Sequence, residues 1–176
     1  FKLKKKKHNL TEKYVSNKLK DRIEILKSFQ LSHDQFYKLS EFAKEQKIIF
    51  FSTPFDIDSA IFLNQIQPIF KVSSGDNNFY PLIDKICDFG KPIIISTGIS
   101  DKKNINNLYH RVKNNWKTKK INSSLSLLHC VSAYPVTDNE ANILAIPNLI
   151  KSYPDAIVGY SDHTLGNEAA ISSVAL

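Results

Sequence analysis

Methionine is absent from all 176 residues, position 1 included. A translated chain starts with methionine, and no targeting peptide accounts for its removal, so the sequence is expected to be a piece of a longer chain. Cysteine is scarce. Cys87 and Cys130 are too few for a disulfide framework, and neither sits in a metal-type spacing. A reducing, cytoplasmic setting is the expectation. With only five glycines, the chain holds no Gly-x-Gly-x-x-Gly or Gly-x-x-x-x-Gly-Lys loop, which argues against a Rossmann or P-loop site. No run of eighteen apolar residues exists, so nothing is expected to span a membrane. The first twenty residues are polar and lysine-rich rather than apolar, which excludes a secretory signal there.

The net charge of +7 is local rather than general. Residues 1–50 carry 13 Lys+Arg against 6 Asp+Glu, whereas residues 51–176 carry 11 against 11. Much of the excess is Lys4-Lys5-Lys6-Lys7. No base-stacking aromatic pattern or DNA-binding motif accompanies it, so residues 1–20 read as a solvated basic leader and no nucleic-acid partner is expected.

What the chain does have is five short apolar runs, each ending in small polar or ionisable residues. They are Ile48–Phe51 into Ser52-Thr53, Ile69-Phe70 into Lys71-Val72-Ser73-Ser74, Ile93–Ile95 into Ser96-Thr97-Gly98, Leu125–Leu128 into His129-Cys130, and Ala156–Tyr160 into Ser161-Asp162-His163. Such runs read as strands buried on both faces. Segments with helical spacing lie between them: Phe36, Leu39, Phe42 and Ala43 after Ser32; a helix after Asp58-Ser59; Leu82 to Cys87 closed by Gly90; Ile105, Leu108 and Val112 after Asp101; Asn142 to Lys151; and a last helix from Gly166. Lys113 to Ser124 reads as a helix end and surface loop. Expected strand ends at Thr53, Ser74, Ser96, His129 and Ser161 are 21, 22, 33 and 32 residues apart. Strict alternation implies an α/β fold with a parallel sheet and helical crossovers. A (β/α)8 TIM barrel is favoured, and five strands would be part of one.

Reactive side chains at strand carboxyl ends converge on one rim. Lys71 ends an apolar strand, where an unpaired cation is costly; it reads as an anion binder or as a snorkelling edge lysine. Ser73 to Asn78 and Ser96-Thr97-Gly98 supply small hydroxyls and backbone N–H groups suited to phosphate. His163 reads as a metal ligand, a general acid/base or a structural residue. His129-Cys130 reads as a satisfied core pair more readily than as a Cys/His nucleophile couple, since adjacent strand residues point to opposite faces. His8, His33 and His110 read as surface residues.

These words together resemble one family. Phe51–Asp56 (FSTPFD), Phe70–Asp76 (FKVSSGD), Gly90–Gly98 (GKPIIISTG), Leu128–Pro135 (LHCVSAYP) and Gly159–Gly166 (GYSDHTLG) occur in the order and spacing of the N-acetylneuraminate (sialic acid) synthases, with their legionaminic and pseudaminic acid relatives. The resemblance runs from about residue 20 to the C-terminus. It implies a TIM-barrel enzyme that condenses phosphoenolpyruvate with an N-acylated aldose, N-acetylmannosamine or a relative, to a nine-carbon 2-keto acid with release of phosphate. It also implies a divalent cation, Mn²⁺ or Mg²⁺, and a full-length homodimer. Positions matching phosphoenolpyruvate contacts are Thr53, Lys71, Ser74, Ser96 and Ser161. Asp76 and Ser132 fall near the sugar side, Tyr134 joins the substrate-binding set, and His163 matches one of two metal-binding histidines. By this alignment residues 21–176 hold strands three to seven of eight. The family's proton-transfer carboxylate, a second phosphate-binding lysine, the second metal histidine and an antifreeze-like domain fall outside the chain. The piece alone is therefore expected to be inactive, and a truncated, non-catalytic remnant keeping the phosphate cradle is the alternative.

Overall fold

The computed structural model describes residues 17–176, with side chains from residue 23 onward. Residues 1–16 of the expected basic leader, with the Lys4–Lys7 run and His8, lie outside the described residues. Positions 17–20 belong to helix α1 (Asn17–Ser28).

Four strands form one parallel sheet in chain order: β1 (Phe70–Val72), β2 (Ile93–Ser96), β3 (Leu125–Cys130) and β4 (Ile157–Ser161). Helices α2 (His33–Glu45) and α3 (Ile57–Leu63) precede β1. Helices α4 (Tyr80–Asp88), α5 (Lys102–Lys119) and α6 (Ala145–Ser152) make the crossovers, and α7 (Glu168–Val174) follows β4. The α/β class and the parallel sheet are as the sequence implies. No helix among the described residues is long and apolar enough to cross a membrane.

Local chemistry sets the helix ends. Ser32 caps α2 through a full capping box with Gln35, and Asp101 caps α5 by accepting from the Asn104 N–H at 2.7 Å. The cap of α3 is Asp56 rather than the expected Asp58-Ser59. Gly90 follows α4 at φ +70°, the left-handed geometry that ends helices at glycine.

One expectation is corrected. Residues 48–51 are not a strand: the Ile48 N–H donates to the Ala43 carbonyl, and just beyond the run the Ser52 N–H is taken by the Gln67 side chain at 2.8 Å. With no ladder partner among the described residues, that run is irregular, and Ile48 and Ile49 are exposed. Helix α5 continues to Lys119, within the stretch read as a helix end and surface loop. Its inner face is held by Trp116, 3% exposed, whose indole N–H donates to the Cys87 carbonyl at 3.2 Å.

Strand alternation divides the side chains between two faces. Phe70, Val72, Ile93, Ile95, Leu125 and Leu127 pack against Leu82, Ile83 and Ile86 of α4 and Leu108, Val112 and Trp116 of α5. Phe70 stacks on Phe89 at 5.4 Å. Cys87 is buried in this layer; burial, with the Asp84 and Asp88 carboxylates beside it, pushes its thiol up to about 12. The opposite face carries Lys71, Ile94, Ser96, Leu128, Cys130, Gly159 and Ser161. It is not closed as a sheet buried on both faces would be: Ile157 is 62% exposed, and Ile94 and Leu128 are half-buried.

Complete burial of each helix-side residue contributes on the order of 1.5–3 kcal/mol. Leu127→Ala should therefore cost about 2–5 kcal/mol in denaturant unfolding, and Leu128→Ala, its half-buried neighbour, clearly less. Equal losses would contradict the division of faces.

Candidate active site

At the carboxyl ends of the strands the polar face opens into a cleft of about 420 Å³. Lys71, Ser74, Ser96, Cys130, Ser132, Tyr134, Ser161 and His163 are all on its wall, with Phe55 and Ile99 at its apolar side. Parallel register explains the convergence, because all four strands point their carboxyl ends the same way, with Lys71 beside Ile94 and Cys130 paired with Ser161.

Lys71 is the electrostatic centre. Its ammonium donates to the Ser96 hydroxyl at 2.7 Å and the Val72 carbonyl at 3.0 Å, which leaves one of its three hydrogens for another acceptor. No carboxylate pairs with it among the described residues. Burial pushes its pKa below the ordinary lysine value, opposed in part by the Cys130 sulfur.

The hydroxyls around it are aimed by what they accept. Ser96 Oγ accepts from Lys71, and Ser74 Oγ accepts from the Gly98 N–H at 3.1 Å. Each therefore keeps its own proton to donate. Ser74 meets only Cys130 Sγ at 3.5 Å, a weak acceptor that an anionic oxygen would displace. A Cβ at residue 98 would lie 2.4 Å from Ser132 Oγ and 2.8 Å from Ser74 Oγ, so the glycine makes room for both hydroxyls.

Across the cleft, His163 Nδ1 lies 2.8 Å from the Val131 carbonyl, an acceptor only. That bond places the proton on Nδ1 and leaves Nε2 a free lone pair, the state of a histidine that binds a metal. His163 therefore fits one ligand of a divalent cation. Among the described residues no group of three or more His, Cys, Asp or Glu could hold a metal, so the remaining ligands would come from water, substrate or elsewhere in the protein. The Asp162 side chain holds this turn, accepting from the Thr164 N–H and hydroxyl, both at 2.8 Å. Burial alone would raise its carboxyl, but those bonds, with the Tyr160 hydroxyl and the His163 N–H, keep it below the ordinary range. The Tyr134 ring lies 4.1 Å from that of His163.

Two residues expected at the site lie apart from this wall. Thr53 lines a separate cavity of about 360 Å³ between α2 and α3, which shares Phe55 with the cleft. Asp76 is 3% exposed beneath the Ser74–Asp76 3-10 turn and accepts from the Ser73 hydroxyl at 2.9 Å. His129 faces the helix layer, bonding the Ala141 carbonyl at 2.9 Å and stacking on Tyr160, whereas its neighbour Cys130 enters the cleft. Sequence reasoning passed over Cys130 and Phe55 as cleft residues. Strand alternation next to His129 carried the signal for Cys130; nothing local marked Phe55.

A lysine and serine hydroxyls on one strand-end cleft make this a parallel α/β domain with a polar, cation-bearing site. The chain belongs to the NeuB family, whose pattern it matches over residues 2–176. It is 44% identical to an uncharacterised protein of Methanocaldococcus jannaschii, over 94% of this chain and 48% of that protein. It is 34% identical to the N-acetylneuraminate-9-phosphate synthase of Mus musculus, over 84% of this chain and 40% of that enzyme. The structure of the N-acetylneuraminic acid (sialic acid) synthetase of Leptospira borgpetersenii, in complex with citrate, superimposes with a TM-score of 0.82 at 32% identity, covering 93% of this chain and 55% of that one. The chain spans about half the length of the curated relatives it matches.

Because burial lowers the Lys71 pKa, the unfolded chain holds more protons between the lowered value and 10.5. The ammonium therefore costs stability below its folded pKa, and the cost is relieved as pH rises through it. Anion binding needs the charged form. Phosphate affinity should fall with rising pH before 10.5 is reached, and Lys71→Arg, charged throughout, should flatten that fall in a titration. An unchanged profile in Lys71→Arg would remove Lys71 from the site.

Proposed function

We propose that this chain supplies the phosphoenolpyruvate-binding side of a synthase that joins phosphoenolpyruvate to an N-acylated aldose, forming a nine-carbon 2-keto sugar acid and releasing phosphate. The observation that carries this reading is the unpaired Lys71 ammonium set among the outward-donating Ser74 and Ser96 hydroxyls at the ends of adjacent strands. Phosphoenolpyruvate presents a phosphate and a carboxylate together, which is what a cation with flanking hydroxyl donors recognises. Ser161 on β4 extends the donor line, and Thr53 is assigned to the same substrate from the neighbouring cavity. Ser132 and Tyr134 are assigned to the sugar, as is Asp76 through the turn it anchors.

In the reaction the enol carbon of phosphoenolpyruvate attacks the sugar aldehyde carbon, forming the C–C bond. Water adds to the resulting cation, and the C–O bond to phosphate breaks. Lys71, Ser74 and Ser96 would hold the phosphate and stabilise the charge that grows on it as it leaves. His163 would be one ligand of Mn²⁺ or Mg²⁺, which when bound supplies polarisation of the aldehyde oxygen. The sheet is read as a sector of a (β/α)8 barrel, β1 to β4 standing for its fourth to seventh strands, and the cleft as part of that barrel's mouth. A homodimeric whole protein acting in the cytoplasm completes the proposal.

The test, made on the whole protein, is phosphate release from phosphoenolpyruvate with a panel of N-acylated aldoses and Mn²⁺. Lys71→Ala should lower kcat/KM for phosphoenolpyruvate by about 2–5 kcal/mol of transition-state stabilisation, the loss typical when one partner of a desolvated charged pair is removed. A value within a few-fold of wild type would overturn the cradle. His163→Ala should weaken Mn²⁺ binding, read by calorimetry, while thermal unfolding stays near wild type. Unaltered Mn²⁺ affinity would return His163 to a structural role.

A further inference from the structure

Asn77 lies immediately after the Ser74–Asp76 turn, is 5% exposed, and is absent from the cleft wall. Its side chain nevertheless makes three bonds to the neighbouring loop. Nδ2 donates to the Ser96 carbonyl at 3.3 Å and the Gly98 carbonyl at 3.0 Å, and Oδ1 accepts from the Ser100 hydroxyl at 3.0 Å. The β1–α4 and β2–α5 loops are thereby joined from behind by one amide.

We propose that Asn77 is a positioning residue of the anion cradle: its amide sets the Ser74 loop against the Gly98 loop, so that the Gly98 N–H holds Ser74 Oγ and the Ser74 and Ser96 hydroxyls face one ligand. This rests on reading Lys71, Ser74 and Ser96 as that cradle. The strand after Ser96 is held from the β3 side, where the Thr97 N–H and hydroxyl both bond the Leu128 carbonyl at 2.9 Å. The β1 side has no comparable ladder beyond Val72, whose partner is Ile95. There the loops meet through Asn77 and through the Gly98–Ser74 bond, which belongs to the cradle itself. Because Gly98 carries both the carbonyl that Asn77 holds and the N–H that Ser74 accepts, a shift of one moves the other. Sites of this kind need placement to about 0.5 Å, and a slip of about 1 Å costs on the order of a hundredfold in activity.

An apolar or merely space-filling role would make different demands. Asn77→Asp keeps the volume and the acceptor for Ser100 but replaces the doubly donating Nδ2 with one oxygen facing two carbonyls. Asn77→Ala removes all three bonds. Ser100→Ala removes one, at the rim, and keeps the variant series informative if Asn77→Ala folds poorly.

The experiment measures three things on the same proteins: inorganic phosphate affinity by calorimetry, amide exchange at Gly98 with Thr97 as internal reference, and KM and kcat for phosphoenolpyruvate. In Asn77→Ala and Asn77→Asp, phosphate binding should weaken at least tenfold and Gly98 exchange should accelerate at least tenfold over Thr97. KM for phosphoenolpyruvate should rise far more than kcat falls. Ser100→Ala should show a two- to fivefold version. Gly98 exchange that stays at the wild-type rate in Asn77→Asp, or faster exchange with unaltered phosphate affinity, would overturn the proposal. A whole wild-type protein that binds phosphate but never turns over phosphoenolpyruvate would defeat the synthase reading alone, and phosphate affinity across the variants would still decide the role of Asn77.

Discussion

A lysine on a sheet cannot be left both dry and unsatisfied, and the rest of the site is arranged around that constraint. Strand alternation puts Lys71 on the face opposite Phe70 and Val72, so the residues that anchor β1 to the helices also keep the cation away from them. Its solvation is replaced by the Ser96 hydroxyl and the Val72 carbonyl, both neutral. Neutral partners hold an ammonium without cancelling its charge. An acidic partner in the same place would have produced a quiet structural ion pair, as Arg111 and Asp84 do on the outer surface, where two bonds of 2.8 and 2.6 Å close the pair on itself.

The hydroxyls follow from the same logic. A serine that accepts from a fixed donor has its oxygen aimed, and its own proton is left to donate. Ser96 is fixed by Lys71 and Ser74 by a backbone N–H, so the polarity of the cleft is decided by bonds made behind it. His163 obeys the rule in reverse: by donating to the Val131 carbonyl it is left only with a lone pair. One wall of the cleft therefore offers protons and the other offers an electron pair, which suits a ligand with an anionic end and a cation-binding end.

Much of this was legible in the chain. Apolar runs with expected ends at Ser74, Ser96, His129 and Ser161 located four strands, which end at Val72, Ser96, Cys130 and Ser161, because a short apolar run followed by small polar residues leaves little choice of period. Ile48–Phe51 has the same composition and failed, since a strand also needs a neighbour, and its ends are tied elsewhere: the Ile48 N–H to α2 and the following Ser52 N–H to the side chain of Gln67. The length of α5 was hidden by lysines and asparagines that face solvent, while a single tryptophan held its last turns to the core. Asp76 looked like a cleft residue from its place in the motif, yet its carboxylate turns inward to Ser73. The reach of Asn77 across 19 to 23 positions has no local signature at all.

The two thiols of this chain record the division of the sheet into a sealed side and an open one. Cys87 sits in the helix layer with its ionisation driven to about 12, and Cys130 sits on the wall of the cleft. Since thiolate is the reactive form, Cys87 is chemically silent at neutral pH as long as the layer is intact. A slow alkylating reagent thus counts openings of the core at one position, without any label being added.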